Sequence, residues 1–483
     1  MKKNHLILPL LSVLAVGALA GCAGGQTGDK DAVTITLWTT LSYQTQLENY
    51  ISTFSEKYPH ITVDNVKVSG GYDDLKTNTI NGFPTDNYPD LVLAYPDHVA
   101  DYLDYAKAAD ITSYMEDPEI GWSKADRADF IENYITEGQS YSVKGTYSLP
   151  FCKSTEAMYY NASVLIGLNL STVDPTINNG QPLTASYIEN LTWEELFTKL
   201  CPAILSYNEA AAAKDKILNQ AEDGKWAVVG YDSDDNLFIT LAEQYGLPYT
   251  SVDQVTGKGS ADWNTPEMRA LLKDWNAYKN AHYVMTKGTS GAYVNTEFTD
   301  NSVLFSIGST GGVKYQHTDS FEVAVSKIPH AANGKDAVIN QGPSLAFLKH
   351  KNSENKIDTN RIEASWLFYK HMTEEANATA WATATGYMPV RSSCYESEAY
   401  LEYCSTDGKE DLSVELLTAL SSSYTGTVLS DLFTSPVFKG SSECRTQVGG
   451  LLTAILNLST AECTPEKIQE LFETSVNNAK LKF

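Results

Sequence analysis

Basic side chains are in short supply. Lysine and arginine number 35 against 60 aspartates and glutamates, for a formal net charge of -25 at neutral pH. A deficit of that size excludes the electrostatic footprint of a nucleic-acid binder and argues against docking on anionic lipid, while leaving room for a small neutral ligand. Cysteine is sparse as well, at seven residues. None forms a CxxC pair or has a histidine at ligand spacing, so no metal centre is expected. The chain has no GxSxG elbow, no HExxH and no Cys-His arrangement, which removes the commonest hydrolase signatures. Internal repeats and low-complexity blocks are absent, and past the N-terminus no apolar run is long enough to span a bilayer.

What is present begins with that N-terminus. Lys2 and Lys3 precede an apolar run from Leu6 to Leu19 that ends in Ala20-Gly21-Cys22. This is the pattern of a secretory signal, too short in its apolar core for a spanning helix. The quartet Leu19-Ala20-Gly21-Cys22 resembles a bacterial lipobox, which implies a signal peptide over residues 1–21 and lipid on the Cys22 thiol. Residues 22–32 then read as a lipidated cysteine and a flexible tether, and the body beyond them as extracytoplasmic, on the outer face of the cell membrane. Six cysteines remain: Cys152, Cys201, Cys394, Cys404, Cys444 and Cys463. In an exported chain they are open to disulfides, with Cys394 and Cys404 the nearest pair, and equally to buried free thiols.

The body alternates strand and helix. Val33 to Trp38 is β-branched, and Leu47, Ile51, Phe54 and Tyr58 follow at helical spacing until Pro59. His60 to Val68 returns to period two, Gly70-Gly71 breaks it before a helix around Leu75 to Ile80, and Asp90 to Ala94 is a third, wholly apolar strand. That order predicts an α/β fold built on a doubly wound sheet. A second set follows: Thr192 to Glu195 as a capping box, Trp226 to Tyr231 as a strand, and an acidic stretch becoming a helix that Gly246 closes. Ser302 to Ile307 and Ser344 to Leu348 are further strands, with late helices at Arg361 to Met372 and Val448 to Leu458.

Six stretches occur in a telling order: "ITLWTT", "PDLVLAYPDHVA", "LPFCKSTEAMYYN" from Leu149, "FSIGSTGGVKY" from Phe305, "NQGPSLAFL" from Asn340 and "TGYMPVRSSCYES" from Thr385. Together the chain resembles the bacterial extracellular solute-binding proteins that feed ABC importers, in the branch of maltodextrin, multiple-sugar and glycerol-phosphate binders. The resemblance implies two α/β lobes joined by three crossings, near Phe151 to Glu156, Gln341 to Ser344 and Gly386 to Arg391. It assigns residues 33–150 and 342–386 to an N-terminal lobe, and 151–341 and 387–483 to a C-terminal one. It also implies a monomer without cofactor, a sugar ligand, and ABC permease subunits, driven by a cytoplasmic ATPase, as partners.

Sugars have flat C–H faces and many hydroxyls, so a site for them needs aromatic plates and planar polar groups. Trp38 and Asp97 stand at strand ends, where open α/β sheets take ligands; their alternatives are packing under a helix and capping one. Ser154 and Glu156 lie on the first crossing, where the resemblance places ligand contacts. Asp232 and Asp234 follow the strand ending at Tyr231, although an acidic helix start would explain them too. On the third crossing Tyr387 is a stacking candidate, and Arg391 is a partner for ligand or for a carboxylate. The glycines of "FSIGSTGGVKY" lack the spacing of a nucleotide phosphate loop; they let backbone approach a ligand, with Ser309 and Thr310 offering hydroxyls, or form a plain turn. The acid surplus favours a neutral oligosaccharide over glycerol phosphate or a glycerophosphodiester, since a phosphate would call for a bidentate arginine. A secreted glycoside hydrolase using Asp97 and Glu156 is an alternative that requires carboxylates about 5–10 Å apart. A surface adhesin or sensor using the same clamp is a third.

Overall fold

Local chemistry sets the elements. The first helix, Gln44–Lys57, buries Leu47, Tyr50 and Phe54 along one face, as apolar residues three and four apart must. The helix Asp234–Tyr245 starts on the Ser233 side chain, which accepts from the Asn236 amide, and stops at Gly246 in the left-handed region at φ 64°. The side chain of Thr192 likewise accepts from the Glu195 amide, at 3.1 Å. The structure, a computed structural model, describes residues 31–253 and 255–483; Cys22 and the signal segment lie outside the described residues.

In the first part of the chain the strands are β1 (Val33–Thr39), β2 (Ile61–Lys67), β3 (Leu91–Ala94), β4 (Ser148–Pro150) and β5 (Glu156–Asn161). The middle supplies β6 (Ala227–Tyr231), β7 (Thr250–Val252), β8 (Gly259–Ala261), β9 (Val284–Thr286) and β10 (Val303–Ser309). Then come β11 (Val323–Ser326), β12 (Val338–Ile339), β13 (Ser344–Phe347) and β14 (Leu432–Phe433).

Two five-stranded sheets result, in the orders β2-β1-β3-β13-β4 and β11-β5-β10-β6-β9. The parallel core that the strand-helix alternation predicts is present as β2-β1-β3 and β10-β6-β9. Each core is extended by antiparallel pairing, of β13 with β3 and β4 in one sheet and of β5 with β10 and β11 in the other. Thus β13 returns from residue 344 to a sheet otherwise built before residue 151. Helices cover the sheets, and Phe54 meets Phe368 edge-on at 5.0 Å over the first. All six cysteines of the described residues are free thiols, and all but Cys404 are buried.

Three segments between the sheets pair with one another. The Ser154 amide donates to the Gln341 carbonyl at 3.0 Å, the Gln341 amide returns a bond to Ser154 at 2.8 Å, and the Met388 amide donates to Lys153 at 2.7 Å. At this junction Lys153 is fully buried against Glu137 at 2.6 Å, and its ammonium also donates to the Gly342 carbonyl at 3.0 Å. Burying two charges is costly unless their remaining bonds are met. Here Asn340 and Ser344 complete the shell of Glu137, both at 3.1 Å.

Candidate ligand-binding cleft

A parallel strand that ends at a sheet's carboxyl edge delivers the next residues to the crevice beyond it. Tyr95, Pro96 and Asp97 follow β3, Asp232 follows β6, Lys287 follows β9, and Ser309 ends β10; all of them line one cleft of about 1160 Å³ between the sheets. That exceeds the roughly 300–1,000 Å³ of an ordinary small-molecule pocket. Six tyrosines face it, Tyr72, Tyr95, Tyr249, Tyr293, Tyr315 and Tyr387. Their hydroxyls and rings give flat surface with a polar edge. The Tyr72 and Tyr387 hydroxyls meet at 3.3 Å, and Tyr72 packs edge-on to Tyr95 at 5.2 Å.

The wall is acidic. Seven carboxylates line the cleft against two permanent cations, Lys287 and Arg445. Glu156 is wholly buried; burial pushes its carboxyl up to about 7, against hydrogen bonds from Tyr231 and Asn236 that hold it down. Asn236 donates to it at 3.0 Å. Asn236 accepts in turn from Arg445, whose guanidinium pairs with Asp235 at 2.6 Å. Burial raises Asp232 to about 6, opposed by the Val294 amide, which donates to it at 2.7 Å. Asp234 is raised by burial too, although Thr286, Gly288 and Thr453 all donate to it. Several polar atoms have no partner: Gln316 Oε1, Asn340 Oδ1 and Gln341 Nε2 are buried on residues that line the cleft. An unmet carboxamide is costly inside a protein, so these atoms suit a ligand that brings its own donors and acceptors.

Of the residues picked out by sequence, Asp97, Ser154, Glu156, Asp232, Asp234, Ser309 and Tyr387 reach the cleft wall. Three do not. Trp38 is not among the lining residues: Ile35, Leu37 and Thr39 take the buried face of β1, and Trp38 packs half-buried from the other. Thr310 turns inward and accepts from the Thr155 amide at 3.1 Å, tying β10 to the first crossing. In its loop the cleft is met by Ser309, Gly311 and Gly312. Arg391 is committed elsewhere. It pairs with Asp129 at 3.1 Å, donates to the Thr373 carbonyl and lies over the Phe130 ring at 4.3 Å, so only the carboxylate half of its expected role holds.

Sequence reasoning passed over Tyr95 and Lys287, which the strand-end rule reaches once β3 and β9 are drawn. Arg445, with Arg391 one of two arginines near the late motifs, is weighed in sequence only as a partner for a phosphate and not as a site residue, yet it lines the cleft. Tyr249 and Tyr293 come from loops that carry no local signal, while Tyr315 closes the stretch "FSIGSTGGVKY" on the short helix Thr310–Gln316 after β10.

The model of the family described as bacterial extracellular solute-binding protein matches residues 49–404. The chain belongs to that family. Its members are binding proteins that serve ABC importers, and they act outside the cytoplasm. Among curated relatives, the solute-binding chain is 23% identical over 385 residues to the sn-glycerol-3-phosphate-binding periplasmic protein UgpB of Salmonella typhimurium, covering 77% of each. Its fold is shared with UgpB from Mycobacterium tuberculosis in complex with glycerophosphocholine: TM-score 0.65, 16% identity, 93% of this chain and 98% of that one. It is shared as well with the cyclic alpha-maltosyl-1,6-maltose binding protein from Arthrobacter globiformis, at TM-score 0.63, 17% identity and coverage of 93% and 99%. The sugar-binding protein MalE of Xanthomonas citri gives 0.65, 14%, and 93% and 98%. No helix of the described residues is long and apolar enough to cross a membrane.

Proposed function

We propose that this solute-binding protein captures an oligosaccharide between two lobes and hands it to an ABC permease, held at the outer face of the cell membrane by lipid on Cys22. The observation that carries the reading is the makeup of the cleft: six tyrosines, unpartnered carboxamide atoms and carboxylates around about 1160 Å³. Tyr72, Tyr95 and Tyr387 stack on sugar faces. Ser154, Ser309, Gln341 and Asp97 bond hydroxyls from opposite sides. The lobes follow the two sheets, residues 33–150 and 342–386 against 151–341 and 387–483, hinged where Lys153, Gln341 and Met388 pair. Binding favours the closed form because both walls gain contacts only when they share one ligand. The protein works as a monomer, and no bond is made or broken.

Arg445 and the likeness to sn-glycerol-3-phosphate binders favour a second reading, a glycerophosphodiester ligand. Against it, Arg445 is already engaged by Asp235 and Asn236 and is acted on by Asp97. Calorimetry with maltodextrins, other oligosaccharides, glycerol 3-phosphate and glycerophosphocholine decides between them. Saccharide binding without product after hours is expected. Heat from the phosphates alone would replace the first reading with the second, and turnover would refute both.

A further inference from the structure

Resting on the saccharide reading, we propose that the ligand carries a primary ammonium group, as in an amino-sugar oligomer, and that Asp232 and Gln316 receive it at the carboxyl edge of β6 and β10. Two independent observations lead there. The first is charge. Asp232 lines the cleft, and none of its hydrogen bonds comes from a cation. Lys287 acts on it only at a distance, because its ammonium sits over the Tyr293 ring at 3.9 Å. Glu156, close behind, is held by neutral donors alone.

The second is the balance of donors and acceptors. Gln316 is 3% exposed and spends its amide nitrogen on Asp232, at 3.4 Å. That bond orients the carboxamide and leaves Oε1 buried with no partner. Asn340, 8% exposed, repeats the pattern on the second crossing: its nitrogen donates to Glu137 and Thr434, and Oδ1 is unmet. Two of the three orphans on the carboxamides that line the cleft are acceptors, the third being the Gln341 Nε2 donor, and beside the Gln316 acceptor lies a carboxylate with no cation bonded to it. A hydroxyl offers one donor together with lone pairs that this corner cannot use, whereas an ammonium offers three donors and no acceptor. A charged donor to a carboxylate also makes the stronger bond. Gly308 sits against the pair: a side chain there would meet Asp232 Oδ2 at 2.7 Å and Gln316 Nε2 at 3.3 Å. The strand packs directly against the pair because residue 308 has no side chain.

The test uses the mature full chain and titration calorimetry with a glucosamine tetramer, its N-acetylated counterpart and maltotetraose. The glucosamine tetramer is expected to bind at least tenfold tighter than the N-acetylated one, with the gap narrowing in high salt. Asp232→Asn should shrink the ratio between the two tetramers. If neutral tetramers bind as tightly as the amine, or the ratio survives Asp232→Asn, the ammonium proposal falls and the saccharide reading stands. If none of the three binds, both fall. Tight binding of glycerophosphocholine, whose quaternary ammonium has no N–H, together with weak binding of glucosamine oligomers would also overturn the donor argument.

Discussion

Glu156 illustrates how one buried side chain links fold to pH. Its carboxyl moves from an ordinary 4.5 to about 7 on folding, chiefly by loss of solvent. Between those values the folded chain keeps a proton that the unfolded chain has shed, so stability falls as pH rises through the window, by at most about 3 kcal/mol. Glu156→Gln should flatten that part of the stability profile relative to wild type, measured by urea denaturation from pH 4.5 to 7.5. An unchanged difference across the window would mean that Glu156 is ionised in the fold. Arg391 and Arg445 make a complementary point. Both are late arginines, yet one is spent on Asp129 and the Phe130 ring while the other stands in the cleft wall. Nothing within a few residues of either distinguishes them.

Among the elements, the crossings bear the most constraint. Gly342 has φ +85°, and a Cβ there would lie 1.9 Å from the Cys152 carbonyl oxygen. The left-handed backbone alone costs another residue about 1–3 kcal/mol, and the clash is with backbone that cannot turn away. Gly342→Ala is expected to lower the urea midpoint with little change in slope and to weaken ligand binding, because Gln341 in the cleft is carried by the same turn. Wild-type midpoint and affinity in that variant would show that the crossing yields more readily than its hydrogen bonds suggest. The loop after β10 is governed in the same way. Ser309 caps the following turn by accepting from Gly311 at 3.2 Å, while Thr310 is drawn into the first crossing, so adjacent hydroxyls acquire opposite duties.

For the whole molecule, the architecture joins capture to place. The Leu19-Ala20-Gly21-Cys22 quartet predicts a lipid anchor, and Cys22→Ala should move the protein from the detergent phase to the medium without altering ligand affinity. Retention with the membrane would argue for a different attachment. Ligand at a hundred times its dissociation constant should add about 2.7 kcal/mol to stability, a shift large enough to rank candidate saccharides by thermal unfolding.

The sequence by itself determined the alternation of strand and helix, the caps at Thr192 and Gly246, the acidic balance, and the strand ends that carry Asp97 and Asp232 to a crevice, because these follow from periodicity and local hydrogen bonding. Only the tertiary structure decided that β13 closes the first sheet in antiparallel sense, that the cysteines stay free, and that Trp38, Thr310 and Arg391 face away from the cleft. It also decided that Gln316, Asn340 and Arg445 face into it. Which way a side chain points, and which groups neutralise it, depends on partners far along the chain. Arg391 meets Asp129 and Arg445 meets Asp235 only after the sheets have assembled.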